Sequence, residues 1–226
     1  RLAQNAGMRR SALLSLALLW ALTIAVFWQG LLGRFVWDDF QLIVNNTRLQ
    51  DPAQLGDLLS TGFWNVSSSK AGLSEAYGQV YRPLVTLALF VQHQVFGLDA
   101  RGFHLVSLIL HLLCVTLVFG LLRRIGPDGA RGWLGAIAGA ALFAIHPSRV
   151  ESVSWISGST ELWMGLLVLS GYALWIGRPA LTIPAALLFG LALFAKETAI
   201  VVPAVLLVDL YAREGRVDWK RWGTAS

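Results

Sequence analysis

The 23 residues from Ser11 to Gly33 carry no charge, and an uncharged run of that length limits the possible folds more than any other feature of the chain. As a helix it extends about 34 Å, enough to cross a hydrocarbon core of roughly 30 Å. A secretory signal is the competing reading, but the run exceeds the usual ~7–15-residue apolar segment and no small-x-small cleavage pattern follows it. Arg9 and Arg10 precede the run, which directs the N-terminus to the cytoplasm. Composition agrees: 56% of the 226 residues are hydrophobic and 14% are charged, a balance foreign to soluble domains. The expected fold class is all-α, a polytopic membrane helix bundle.

Further apolar runs follow at Gly102–Leu122, Gly132–Ile145 and Leu162–Ile176. The stretch 180–212 would measure roughly 50 Å as one helix, too long for a single crossing, and Lys196-Glu197 is the charged pair near its middle. Breaking it there gives about six transmembrane helices with both ends in the cytoplasm. Eleven of the eighteen basic residues then fall inside, among them Arg123, Arg124, Arg131 and Arg178. Residues 34–101 become a long first outer loop containing interfacial helices. One is expected over Asp51–Ser60, with Asp51 as N-cap and Pro52 at N1, and another over Pro83–Phe96. The apolar stretch Leu84–Leu98 is only 15 residues and holds Gln92, His93 and Gln94 together, so it is read as lying along the interface. Gly and Ala in Gly132–Ile145 suit close packing against other helices.

Several classes are excluded. The net charge of +5 is accounted for by cytoplasmic loops and is not accompanied by any nucleic-acid motif. Cys114 is the single cysteine and lies in an apolar run, so no intrachain disulfide is possible. The chain ends in the basic, aromatic stretch Trp219-Lys220-Arg221-Trp222, and residues 1–226 are expected to be one transmembrane domain, the N-terminal part of a longer protein.

On this topology Asp38, Asp39, Arg82, His146, Arg149, Glu151, Glu161, Lys196 and Glu197 emerge on one side of the membrane although they come from four places in the sequence. Ionised groups near hydrocarbon cost several kcal/mol each, about 3 at the bilayer centre, so a set gathered at one rim points to chemistry there. Cations suit an anionic lipid head, and a carboxylate suits proton abstraction from a nucleophile.

The order Trp37-Asp38-Asp39, Tyr81-Arg82-Pro83-Leu84, Gly102-Phe103-His104-Leu105-Val106, His146-Pro147 with Glu151, and Lys196-Glu197 resembles the membrane half of the GT-C glycosyltransferases. It is most similar to the transmembrane and tetratricopeptide-repeat-containing protein O-mannosyltransferases and their bacterial relatives. The resemblance runs from Phe35 to about Leu210 and implies a GT-C-like fold. It implies an enzyme that moves a sugar, mannose or a similar hexose, from a polyprenyl-phosphate carrier to a hydroxyl acceptor, protein or glycan. The active face would be periplasmic or lumenal, in a bacterial inner membrane or the endoplasmic reticulum. Asp38 then becomes the expected general base and Asp39 its orienting partner. His146, Arg149, Lys196 and Arg82 are expected to bind the carrier phosphate, supported by Glu151, Glu197 and Glu161. No cofactor is expected. Asp38, Asp39 and Glu151 are nonetheless the ligand type that Mg²⁺ or Mn²⁺ takes, and some GT-C enzymes use a metal where others do not. A non-catalytic transporter or scaffold is the alternative, but a transporter should place its ionisable groups near the midplane.

His104 and His111 share a face of the second run, where helix packing is the expected role because no third ligand accompanies them. Asn45-Asn46-Thr47 and Asn65-Val66-Ser67 fit the N-glycosylation pattern. Trp37 and Trp64 are candidates to line a sugar or lipid site.

Overall fold

The computed structural model describes residues 2–65, 80–177 and 179–214. Asn65-Val66-Ser67, Tyr77, the turn at Arg178 and the stretch from Trp219 to Trp222 fall wholly or partly outside them. The described residues are helical, without a strand. α1 (Leu2–Phe27) runs on into a 3-10 turn at Trp28–Leu32. An irregular segment and α2 (Leu55–Ser60) lead to α3 (Pro83–Phe96) and α4 (Ala100–Ile125). α5 (Gly129–Ile145), α6 (Arg149–Ser154), α7 (Thr160–Trp175), α8 (Thr182–Leu193) and α9 (Val202–Glu214) complete the order.

Two helical stretches, Gly7–Leu32 and Ala100–Ile125, are each 26 residues and apolar enough to cross a membrane. The other apolar helices are shorter: α5 has 17 residues, α7 has 16, α8 has 12 and α9 has 13. At 1.5 Å per residue these fall below the roughly 20 residues of a straight crossing. The break expected at Lys196-Glu197 is present. The backbone leaves helix after α8, Ala195 is fully buried, and a 3-10 turn at Glu197–Val201 starts the return.

Small residues bring α1, α4 and α5 together. Ala136, Ala140 and Ala144 repeat every fourth position of α5, lie at most 2% exposed, and pack on Leu19 of α1 and on Val115 and Phe119 of α4. Without a hydrophobic driving force between helices in lipid, this close approach and its dispersion contacts supply the association energy. His111 adds a directional tie by donating from Nε2 to the Ala144 carbonyl at 2.9 Å. Farther along, Tyr172 of α7 donates to Asp209 of α9 at 2.7 Å.

The segment between α1 and α3 folds onto α3. Leu42, Ile43, Leu49, Leu58 and Phe63 cluster with Val85, Leu89 and Phe90 of α3 and with Phe103 of α4. α3 therefore buries one face against protein. Gln94 donates to the Leu49 carbonyl at 2.7 Å, and Arg48 ties this loop to Asp57 and Thr61. Asp51 accepts from Ala53 N at 2.9 Å, with Pro52 opening the turn that precedes α2, so the expected cap is present. Gly97, at φ +57, reverses the chain between α3 and α4, and Asp99 caps α4 through Arg101 N.

Replacing Ala140 by Leu should cost about 1–3 kcal/mol by overpacking the α1–α4–α5 seam. Leu142→Ala, at a position 65% exposed, should change stability by no more than about 0.5 kcal/mol. Thermal unfolding in detergent compares the two, and equal effects would contradict the seam.

Candidate functional site

The acidic couplet sits in a turn built by its own second carboxylate. Asp39 N donates to the Val36 carbonyl at 2.9 Å, and Val36 N returns a bond to Asp39 Oδ2 at 3.0 Å. The other carboxylate oxygen accepts from Ser157 N at 2.9 Å and from the Ser157 hydroxyl. Asp39 is fully buried, so these donors replace the hydration it has lost. They also fasten the loop after α1 to the Ser157–Ser159 turn that leads into α7. Asp39 is thus the fixed member of the couplet.

Asp38 differs. It is half-buried and makes no hydrogen bond or ion pair with any described residue. Burial, and then the negative charge of Asp39, push its carboxyl above the ordinary range. Its ionised form is therefore the costly one, and its contribution to stability falls as pH rises from the ordinary Asp range through the raised value. A carboxylate that is partly desolvated, raised in pKa and unpartnered has what a general base needs.

The turn imposes strain. Trp37 has φ +47, the left-handed region that a bulky residue enters at a cost of about 1–3 kcal/mol. Its indole is 78% exposed and meets Trp155 edge to face, with centroids 5.9 Å apart at 82°. Gly33 lies beside this turn because His104 fills the adjacent space: a Cβ there would stand 2.7 Å from His104 Nε2. His104 and His111 are both buried between elements, as packing residues.

The expected cations divide into two groups. Arg82 donates from Nε and Nη2 to Glu197 at 3.0 and 2.7 Å, a bidentate pair. Lys196 pairs with Glu161. Both were expected to hold phosphate, yet each has its own carboxylate, so their charge is already matched. Glu197 pairs with Arg82, one of the cations it is expected to support. Glu151, also expected to hold a cation, is exposed and makes no ion pair among the described residues. Arg82 holds the Glu197 carboxyl below the usual Glu range. That pairing stabilises the fold above the usual range and is lost as pH falls through the lowered value.

Arg149 and His146 make up the second group. The Arg149 guanidinium donates to Ser148 Oγ at 3.1 and 3.3 Å and stands 5.4 Å above the Phe143 ring, with no carboxylate partner among the described residues. His146 Nδ1 accepts from Ser148 N at 3.2 Å, and the Ser148 hydroxyl lies 2.8 Å away. With Nδ1 occupied as an acceptor, the ring proton is carried on Nε2, on an exposed residue.

Arg149, Glu161 and Thr198 are among the residues lining a cavity of about 390 Å³. Its walls are apolar, from Leu162, Val168 and Leu169 of α7 to Val202, Val205 and Leu206 of α9, and Tyr172 lies about 16 Å below Glu161 along α7. Asp38 and His146 do not line it. The couplet reaches this rim through Ser157, three residues before the start of α7. Trp64 packs with Phe63 in the core formed by the segment between α1 and α3, and it does not line the cavity.

Among the described residues no three His, Cys, Asp or Glu side chains converge on a point where a metal could sit. Asp39 has both oxygens committed to protein donors. Ser157, Trp155 and Thr198 carry parts of the site that the sequence had not singled out. The signal that marks Ser157 is the small polar run Ser157-Gly158-Ser159-Thr160 that follows the apolar Ile156.

The fold and the rim define a class: an all-helical membrane-type chain with its ionisable groups gathered at helix ends. Comparison with curated proteins gives the family. Over 72% of its length the chain is 31% identical to protein O-mannosyl-transferase Tmtc1 of Drosophila melanogaster. Over 62% it is 33% identical to protein O-mannosyl-transferase TMTC4 of Mus musculus, and over 80% it is 29% identical to protein O-mannosyl-transferase F38B6.6 of Caenorhabditis elegans. The chain is a GT-C-like relative of the protein O-mannosyl-transferases. It covers 18%, 20% and 25% of those three proteins. No family model matches the sequence, and no solved structure matches it.

Replacing Asp39 by Asn removes the neighbouring negative charge, so the Asp38 carboxyl should titrate lower than in the wild type, while burial still holds it above the ordinary range. The variant should also lose about 1.5–3 kcal/mol of stability, since hydrogen bonds to a charged group are given up. Carboxyl ¹³C shifts of labelled Asp38 read the first effect. A midpoint that stays or rises would contradict the coupling.

Proposed function

We propose that this chain is the catalytic membrane domain of a glycosyltransferase that moves a hexose, mannose or a close relative, from a polyprenyl-phosphate carrier to a protein hydroxyl. The observation that carries this reading is the cavity with Arg149 among its lining and apolar walls beyond, together with the tie that fastens the acidic turn, through Ser157, to the start of the helix forming one of those walls. An isoprenoid suits the apolar walls between α7 and α9, and its phosphate suits Arg149. His146 adds a second donor through Nε2–H.

In the reaction the acceptor oxygen attacks the anomeric carbon of the carried sugar while Asp38 takes its proton. The bond from that carbon to the phosphate oxygen breaks, and the polyprenyl phosphate leaves with the electron pair. Arg149 and His146 neutralise the charge that develops there, each contact contributing about 1.5–3 kcal/mol. Asp39 and Ser157 orient Asp38. The Lys196–Glu161 and Arg82–Glu197 pairs brace the rim and keep its local charge near balance, leaving Arg149 as the site's net cation. No step is assigned to a metal.

The topology that goes with this has six crossings over residues 1–226, the N-terminus in the cytoplasm and the site on the periplasmic or lumenal face. The shorter helices then reach the full thickness with the help of flanking turns and local thinning. Placement of the ionisable groups at helix ends favours an enzyme over a transporter, whose site would lie at the midplane. Relatives named protein O-mannosyl-transferases support mannose and a protein acceptor.

The test uses membranes containing the full-length protein, labelled mannosyl-phosphoryl polyprenol and a threonine peptide. Asp38→Asn should lower transfer by about 10²–10⁴ while the protein still inserts. Arg149→Ala should raise the donor KM about ten- to a hundredfold, the equivalent of about 1.5–3 kcal/mol. Wild-type turnover in Asp38→Asn would remove the mechanism.

A further inference from the structure

The glycosyl-transfer reading leaves one feature of the couplet's turn without a role. Residues 36–39 close on each other through both Val36–Asp39 bonds, and the position following Val36 is the one forced to positive φ. Glycine or asparagine would sit there at little cost. This chain has tryptophan, in a strained backbone, with most of a large apolar ring exposed beside the expected base. Its contact with Trp155 holds the ring at a right angle to a second indole on the α6–α7 connection. The result is a rigid aromatic corner one residue from Asp38.

The surroundings indicate what the corner takes. Val36 and Phe40 are 40% and 46% exposed, so the rim of the turn is apolar on both sides. The one carboxylate that the turn leaves without a hydrogen-bond partner among the described residues is Asp38, since Asp39 is consumed by Val36 and Ser157. A polyol needs several donors and acceptors to be read, whereas an apolar side chain next to one hydroxyl needs a hydrophobic corner and a single base.

Resting on the transfer reading above, we infer that Trp37 is a specificity residue for the acceptor. Its indole, backed by Trp155, receives an apolar side chain flanking the acceptor Ser or Thr of a peptide, and so brings that hydroxyl to Asp38. Trp37 takes no part in the proton transfer. Tryptophan offers a large, stiff contact at small entropic cost, which suits such a platform.

The experiment uses the full-length protein in membranes, saturating labelled mannosyl-phosphoryl polyprenol, and two peptides with one threonine each, flanked by valines or by glycines. Wild type should prefer the valine peptide by tenfold or more in kcat/KM, through KM. Trp37→Asn should cut that preference below threefold by raising KM for the valine peptide. Its donor KM should not move, and its thermal stability should equal or exceed wild type because asparagine relieves the backbone strain. A preference retained in Trp37→Asn overturns the inference. So does an equal loss of kcat on both peptides together with lower stability, the mark of a packing or membrane-anchoring residue. Transfer by wild type to a free glycan and to neither peptide would keep the transfer reading and overturn this one. Transfer to no acceptor would remove both.

Discussion

The hydrogen bonds that Asp39 receives from Val36 and Ser157 hold the rest of the arrangement in place. A carboxylate with no exposed surface is tolerable only when its oxygens are filled by donors, and here the donors come from two loops 118 residues apart in sequence. One carboxylate therefore closes its own turn and fixes that turn to the start of α7. Three consequences follow from the same bonds. Asp38 has its charge disfavoured and no hydrogen-bond partner among the described residues, Trp37 has a left-handed backbone, and the turn that carries both is tied to Ser157 just before α7.

Charge accounting at that rim separates scaffold from chemistry. Charged groups at a membrane surface are costly to leave half-desolvated, and pairing relieves the cost. Arg82 with Glu197 and Lys196 with Glu161 do this, and in doing so they pin the break between α8 and α9 to α3 and α7. Leu84 N donates to the Phe194 carbonyl at 3.3 Å on the same seam. Among the described residues Arg149 is held by a serine hydroxyl and an aromatic face, without a carboxylate partner.

Much of the fold was legible because it follows from periodicity and length. The uncharged runs, the Asp51 cap, the break at Lys196-Glu197 and the close-packed Ala face of α5 each rest on a local rule that tertiary context did not override. The pairing of the rim was less legible. Sequence shows that Arg82, Glu161, Lys196 and Glu197 are present but not which cation meets which carboxylate, since that depends on how α3, α7 and the α8–α9 break are juxtaposed. Ser157 escaped notice for a related reason: a small polar residue in a loop acquires its role only from the buried carboxylate that comes to meet it. Glu151 shows the converse. Its place in a motif suggested a partner, and its exposed position on α6 provides none.

The central claim is that the greasy cavity between α7 and α9 and the acidic turn at Asp38 serve one substrate. Photo-crosslinking of a polyprenyl-phosphate analogue with its reactive group on the second isoprene unit, in membranes holding the full-length protein, tests it most directly. Label on Val168, Leu169 or Leu206, displaced by unlabelled polyprenyl-phosphate sugar and weakened by loss of the Arg149 charge, is the predicted result. Label spread over the lipid-facing surface of α1 and α5, indifferent to Arg149, would contradict the account.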